Sequence, residues 1–128
     1  MILIKNGKVY SNGRFQKRDL YVENGHFSHK GESDEVFDAE GRFIIPGFWD
    51  IHTHGAICVD VNAADREGFE RISTFLASHG VTRWLCSILT DDEERTTAAI
   101  LRAREAIENP LPGAKLMGIH LEGPFLSP

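Results

Sequence analysis

Two short segments concentrate residues able to bind a metal ion or move a proton. Residues 48–56 read FWDIHTHGA, with His52 and His54 one residue apart, Asp50 two residues before the pair and Gly55 directly after it. Residues 116–125 read LMGIHLEGPF, again an apolar run that leads into a histidine (His120), a carboxylate (Glu122) and a glycine. Neutral imidazole and carboxylate oxygen suit zinc and similar divalent ions, at about 2.0–2.2 Å. Each feature alone has a plainer structural reading: an incidental His-x-His pair, a histidine serving as a hydrogen-bonded neighbour, a turn carboxylate before Gly-Pro. The like position of the two sets, each at the end of an apolar run, predicts one shared site.

The elements that would position these residues begin at Pro46. If 48–54 is a strand, alternation turns Asp50, His52 and His54 to one face and Trp49, Ile51 and Thr53 to the other. Residues 69–80, FERISTFLASHG, carry Phe69, Ile72, Phe75 and Leu76 at helical spacing, with Gly80 where a helix-ending glycine belongs. VTRWLCSIL at 81–89 is a continuous apolar strand. Thr90 is predicted to open a second helix, with Glu93 completing a capping box. Ile100, Leu101 and Ile107 form that helix's apolar face and Pro110 its end. A third strand from Ala114 puts His120 and Glu122 on one face. The order strand, helix, strand, helix, strand implies parallel strands joined by crossovers. Such α/β folds place their sites at the C-terminal ends of the strands.

Residues 1–45 have a different texture. Short runs rich in β-branched and aromatic residues are punctuated by Asn6-Gly7, Asn12-Gly13 and Asn24-Gly25, the strongest short hairpin signal. They predict a small antiparallel module with few large apolar side chains. In the whole chain of 128 residues, 41% are apolar and 26% charged, and the net charge is -5 with no basic block. That balance argues against nucleic-acid and anionic-membrane partners. No run approaches the ~18 apolar residues of a membrane helix, and MILIKNGK is not a signal peptide; a cytoplasmic protein is expected. Cys58 and Cys86 each lie in an apolar run and read as buried free thiols. His26, His29 and His79 receive no function; His79 precedes a glycine at a helix C-terminus, where a cation suits the dipole.

PGFWDIHTHG at 46–55 resembles the first barrel strand of the amidohydrolase superfamily, marked by a His-x-His pair after an apolar strand and a Pro-Gly. FLASHGVT and GIHLEGPFLSP narrow the resemblance to the N-acetylglucosamine-6-phosphate deacetylase family, from Met1 to Pro128. The resemblance implies an incomplete β-sandwich-like module at 1–45. It implies that 46–128 is the start of a (β/α)8 metallo-dependent hydrolase barrel, with about three of its strands and two of its helices. It implies Glu122, His52 and His54 as ligands of a divalent metal, zinc first and iron or manganese as alternatives, with Asp50 and His120 in supporting positions. The implied reaction is hydrolysis of the acetamide of N-acetylglucosamine 6-phosphate to glucosamine 6-phosphate and acetate. The family's acid/base aspartate belongs to the eighth barrel strand, and two more histidine ligands belong to later strands. No residue here matches them or the sugar and phosphate contacts, so an N-terminal fragment inactive alone and self-associating through open strand edges is expected. The alternatives are another metal-dependent amidohydrolase of the dihydroorotase or hydantoinase kind, and a non-catalytic homo-oligomeric module.

Overall fold

The computed structural model describes residues 1–126, and the chain divides into two compact units, Met1–Pro46 and Gly47–Pro128. The first is a sheet built on β1 (Ile2–Ser11), followed by β2 (Arg14–Glu23) and β3 (His26–Ser28). Ser11 pairs with Arg14 across Asn12-Gly13, and Glu23 with His26 across Asn24-Gly25. Both asparagines have φ 51 and both glycines φ 77, the positive values of a two-residue hairpin link that Asn and Gly tolerate.

Asn6-Gly7, expected to be a third turn, is a bulge inside β1. The register to β2 skips between Ile4 and Gly7, and Asn6 has φ 59. The Asn6 side-chain amide donates to both carboxylate oxygens of Asp38 at 3.1 and 3.0 Å, and its backbone N–H donates to Asp19 Oδ1 at 3.1 Å. Tertiary partners thus hold the left-handed conformation that a turn would otherwise use. The bulge divides one edge of β1 between two short strands. β4 (Glu35–Asp38) pairs with Ile2–Lys5, and β5 (Phe43–Ile44) with Lys8 and Val9, both parallel to β1. The module is therefore mixed rather than antiparallel. After two hairpins β3 runs in the direction of β1, and the chain then returns to the start of β1. There Asp34 N–H donates to Met1 O at 3.0 Å, and the Asp34 carboxylate meets the terminal ammonium at 2.7 Å.

The second unit holds a parallel sheet in the order β10-β9-β6, made of β6 (Phe48–Thr53), β9 (Val81–Leu89) and β10 (Lys115–Glu122). A small hairpin of β7 (Gly55–Ala56) and β8 (Val59–Asp60) follows β6. Helices α1 (Arg66–Ser78) and α2 (Glu93–Glu108) complete the unit. Phe69, Ile72 and Leu76 of α1 share one buried cluster with Trp84, Cys86, Ile88 and Leu116 of the sheet. From α2 the cluster takes Ala99, Ala103 and Ala106. Leu101, expected on that buried face, is 56% exposed, and Ile100 and Ile107 pack only at its margin. The alanines follow a single helical stripe, and the bulk comes from the sheet side through Trp84 and Leu116.

Asp65 and Asp92 cap the helices, accepting from Gly68 N and Arg95 N at 2.8 Å each. Thr90 is not the cap, because its hydroxyl donates to Glu122 O at 2.8 Å and the helix starts only at Glu93. Cys86 is buried as expected, but Cys58 is exposed. Cys58 lies in the link between β7 and β8 with φ 63. Among the described residues no helix is long and apolar enough to cross a membrane.

Candidate metal centre

β9 lies between β6 and β10, and it sends Trp84, Cys86 and Ile88 into the helix-covered core. Ser87 points to the other face, where its oxygens meet histidines of both neighbouring strands. Register irregularities decide what shares that face. β10 pairs Leu116 with Trp84 and Gly118 with Leu85, so Met117 is an extra residue. Leu116 then faces the helices, while His120 and Glu122 lie with Ser87 and Leu89 on the opposite face. β6 pairs Asp50 with Trp84 but Thr53 with Cys86, three residues against two. Asp50 therefore does not share a face with His52 and His54, contrary to strict alternation. Its carboxylate Oδ1 instead accepts the backbone N–H of His52 at 3.1 Å.

On the shared face three donor atoms converge. His52 Nε2 lies 2.8 Å from Glu122 Oε2, His54 Nε2 lies 3.1 Å from the same oxygen, and the two imidazole nitrogens are 3.3 Å apart. His54 Nδ1 is 3.0 Å from the Ser87 carbonyl. A carbonyl can only accept, so Nδ1 carries the hydrogen, and Nε2 of the neutral ring presents a lone pair. His120 is not one of the three; its Nδ1 meets Ser87 Oγ at 3.0 Å, and its ring lies 4.7 Å from that of His52. The sequence reading passed over Ser87, whose one signal was a hydroxyl between Cys86 and Ile88 in an otherwise apolar strand.

The hydrogen bond with His52 is the first cause holding the Glu122 carboxyl below its ordinary range. The fields of His54, His52 and His120 act in the same sense, against desolvation. Glu122 is positioned from its backbone as well. Thr90 binds its carbonyl, and Gly123, with φ +111, passes so close that a Cβ there would collide with Thr90 Oγ1. The cluster is open: the side chains of His52, His54 and Glu122 are 53, 39 and 36% exposed. A concavity of about 420 Å³ lined by His54 to Asp60 adjoins it.

The donor set fits a divalent cation. Two imidazoles and one carboxylate offer atoms that all lie within 4.8 Å of one another. A tetrahedral ion with donors at about 2.1 Å separates them by about 3.4 Å. The observed separations of 2.8 to 3.3 Å need to open by about 0.1 to 0.6 Å to reach that spacing.

No protein-family profile matches the chain. Among curated proteins it is 37% identical over 99 residues to an N-acetylglucosamine-6-phosphate deacetylase of Bacillus subtilis, covering 75% of this chain and 25% of that protein. It is 31% identical over 133 residues to the protein of the same name in Danio rerio, covering 95% and 33%. Among solved structures, the N-acetylglucosamine-6-phosphate deacetylase of Thermotoga maritima superposes with a TM-score of 0.76 at 28% identity, over 98% of this chain and 33% of that one. The chain thus spans a third or less of the length of these relatives, which consistently carry one name.

Proposed function

We propose that this chain is the N-terminal portion of a divalent-metal-dependent deacetylase that hydrolyses the acetamide of N-acetylglucosamine 6-phosphate, releasing acetate and glucosamine 6-phosphate. The observation that carries the reading is the convergence of His52, His54 and Glu122 from two strands onto one point. The relatives supply the substrate class, because the proteins similar to this chain are named for that reaction. In the same reading, the parallel sheet with α1 and α2 on one face is the opening part of a (β/α)8 barrel. Support comes from the β-α-β-α-β order and from the superposition on a solved deacetylase.

His52, His54 and Glu122 would hold the ion, zinc first by the chemistry of the donors. When bound, a divalent ion polarises the amide carbonyl and makes hydroxide available near neutral pH. Glu122 contributes an anionic oxygen, and the hydrogen bond with His52 that lowers its pKa favours that ionised form. His54 contributes Nε2 because Ser87 O has claimed its other nitrogen. Ser87 Oγ restrains His120 against the His52 ring. Among the described residues Glu122 is the one carboxylate in the three-donor cluster. Among the described residues no second carboxylate joins the cluster to serve as a separate acid for the leaving amine, a role worth roughly 10²–10⁴-fold.

Calorimetric titration with zinc and an acetate-release assay test the reading together. The 128-residue chain should bind zinc, and Glu122→Gln should weaken binding at least tenfold with the fold intact. The isolated chain should release no acetate above a zinc-only control. A chimaera in which this chain replaces the matching region of the Bacillus subtilis relative should release acetate and lose the activity on Glu122→Gln. A folded, zinc-loaded chimaera without activity would count against the proposed reaction. Equal zinc affinity in the Glu122→Gln chain would remove the centre itself.

A further inference from the structure

We infer that Asn62 is a positioning residue that sets the separation between the two strand ends of the candidate centre; the inference rests on reading His52, His54 and Glu122 as one centre. Asn62 is bonded to none of the three. Its side-chain amide donates to Leu89 O at 2.9 Å, and its Oδ1 accepts Leu89 N–H at 2.9 Å. One side chain thus gives the last residue of β9 the pair of bonds that a neighbouring strand would give. Leu89 is the register partner of Glu122, and the next residue, Thr90, donates its hydroxyl to Glu122 O at 2.8 Å. On the other side, the residue before Asn62 ties back to the histidine strand, Val61 N–H donating to His54 O at 2.9 Å.

These bonds form a continuous path from the His54 carbonyl, through Val61 and Asn62, to Leu89, Thr90 and the Glu122 carbonyl. The sheet does not supply this link, because the pairing of β6 with β9 stops at Thr53 opposite Cys86, short of Leu89. Beyond that point His54 is held to β9 by its own ring on Ser87 O and by this loop. The loop is itself anchored. Arg102 of α2 donates to Asn62 O at 2.7 Å and to Ala64 O at 2.9 Å, and Asn62 N–H donates to Asp60 Oδ1 at 2.8 Å.

The residue type follows from the task. Pairing both the N–H and the C=O of one residue takes a donor and an acceptor side by side, which a primary amide offers. Aspartate keeps the size but turns a lone pair toward Leu89 O. Alanine reaches neither group. Outer residues that orient metal ligands typically change affinity by about 10- to 100-fold when altered.

The test uses the full chain, first without metal. In Asn62→Asp and Asn62→Ala the Leu89 amide should exchange with deuterium at least tenfold faster, and the ring ¹⁵N resonances of His52 and His54 should shift as their contact with Glu122 loosens. Zinc affinity should then fall about 10- to 100-fold. Ile107→Ala, on α2 and away from the loop, serves as a variant of comparable stability loss and should leave ring resonances and zinc affinity unchanged. Wild-type ring resonances and zinc affinity in both Asn62 variants would overturn the inference. So would a loss of affinity equalled by Ile107→Ala. Failure of the unmodified chain to bind zinc would defeat the metal reading, while the metal-free resonances would still decide the role of Asn62.

Discussion

Ser87 meets two histidines with two different atoms, and the difference matters for what each histidine can do. Its carbonyl takes the His54 Nδ1 hydrogen, while its hydroxyl faces His120 Nδ1. The two cysteines diverge just as far. Burial pushes the thiol of Cys86 up to about 12, while Cys58 stands exposed in a tight link. A thiol reagent applied to the native chain should therefore label one cysteine quickly, and denaturant should reveal the second. Rapid labelling of both without denaturant would contradict the packing around Cys86. Gly123 is a third case. Its φ of +111 and its contact with Thr90 predict that Gly123→Ala costs about 1–3 kcal/mol, read as a lowered denaturation midpoint. Zinc affinity should drop with it, because Thr90 can no longer reach the Glu122 carbonyl. An alanine variant as stable as the parent would show that the turn has an alternative course.

Strand β1 depends on a polar knot at its bulge. Asp38 accepts Glu40 N–H at 2.9 Å and the side-chain amide of Asn6. Those bonds, that of Glu40 first and Asn6 second, hold its carboxyl below the ordinary range. A carboxylate whose folded pKa lies under its unfolded value stabilises the fold above the unfolded value, and the contribution disappears as pH falls through the folded one. The first unit should thus loosen in acid, below about pH 4. Asp38→Asn should be less stable than the parent at pH 7, and that gap should narrow by pH 3 in urea titrations followed by circular dichroism. A gap of constant size across the range would mean that Asp38 carries no charge-dependent part of the stability. The helices differ from this pattern: each starts on an aspartate one turn before its first paired amide, and α2 presents methyl groups where larger side chains were expected.

Across the second unit, β6 and β10 are the outer strands of a three-stranded sheet. Phe48, Trp49, Ile51, Leu121 and Phe125 expose large apolar surfaces there. Unpaired strand edges beside exposed apolar side chains favour association with like surfaces. We expect the 128-residue chain to associate with itself, with an apparent mass in light scattering that rises with concentration in the micromolar range. A single monomeric species throughout would sink this expectation. The relatives are about three times longer than the matched segment, and in the proposed deacetylase those surfaces would be covered by later strands.

Much of this molecule is written in local pattern. Asn12-Gly13 and Asn24-Gly25 turn the chain because their φ preferences act over two residues. The helical stripe of Phe69, Ile72 and Leu76 finds the core because periodicity survives in any context that buries one face. The family resemblance carried by PGFWDIHTHG and GIHLEGPFLSP agrees with the names of the relatives. What depended on the third dimension was phase and partnership. An extra residue in β6 separates Asp50 from the histidines, Asp38 and Asp19 convert Asn6 from a turn into a bulge, and Asp92 takes the cap while Thr90 turns to Glu122. The convergence of His52, His54 and Glu122 itself spans 70 positions of sequence. Such outcomes are set by groups distant along the chain. A hydrogen-bond partner brought close by the packed sheet can outweigh the fraction of a kilocalorie to about one kilocalorie by which a residue's own propensity leans.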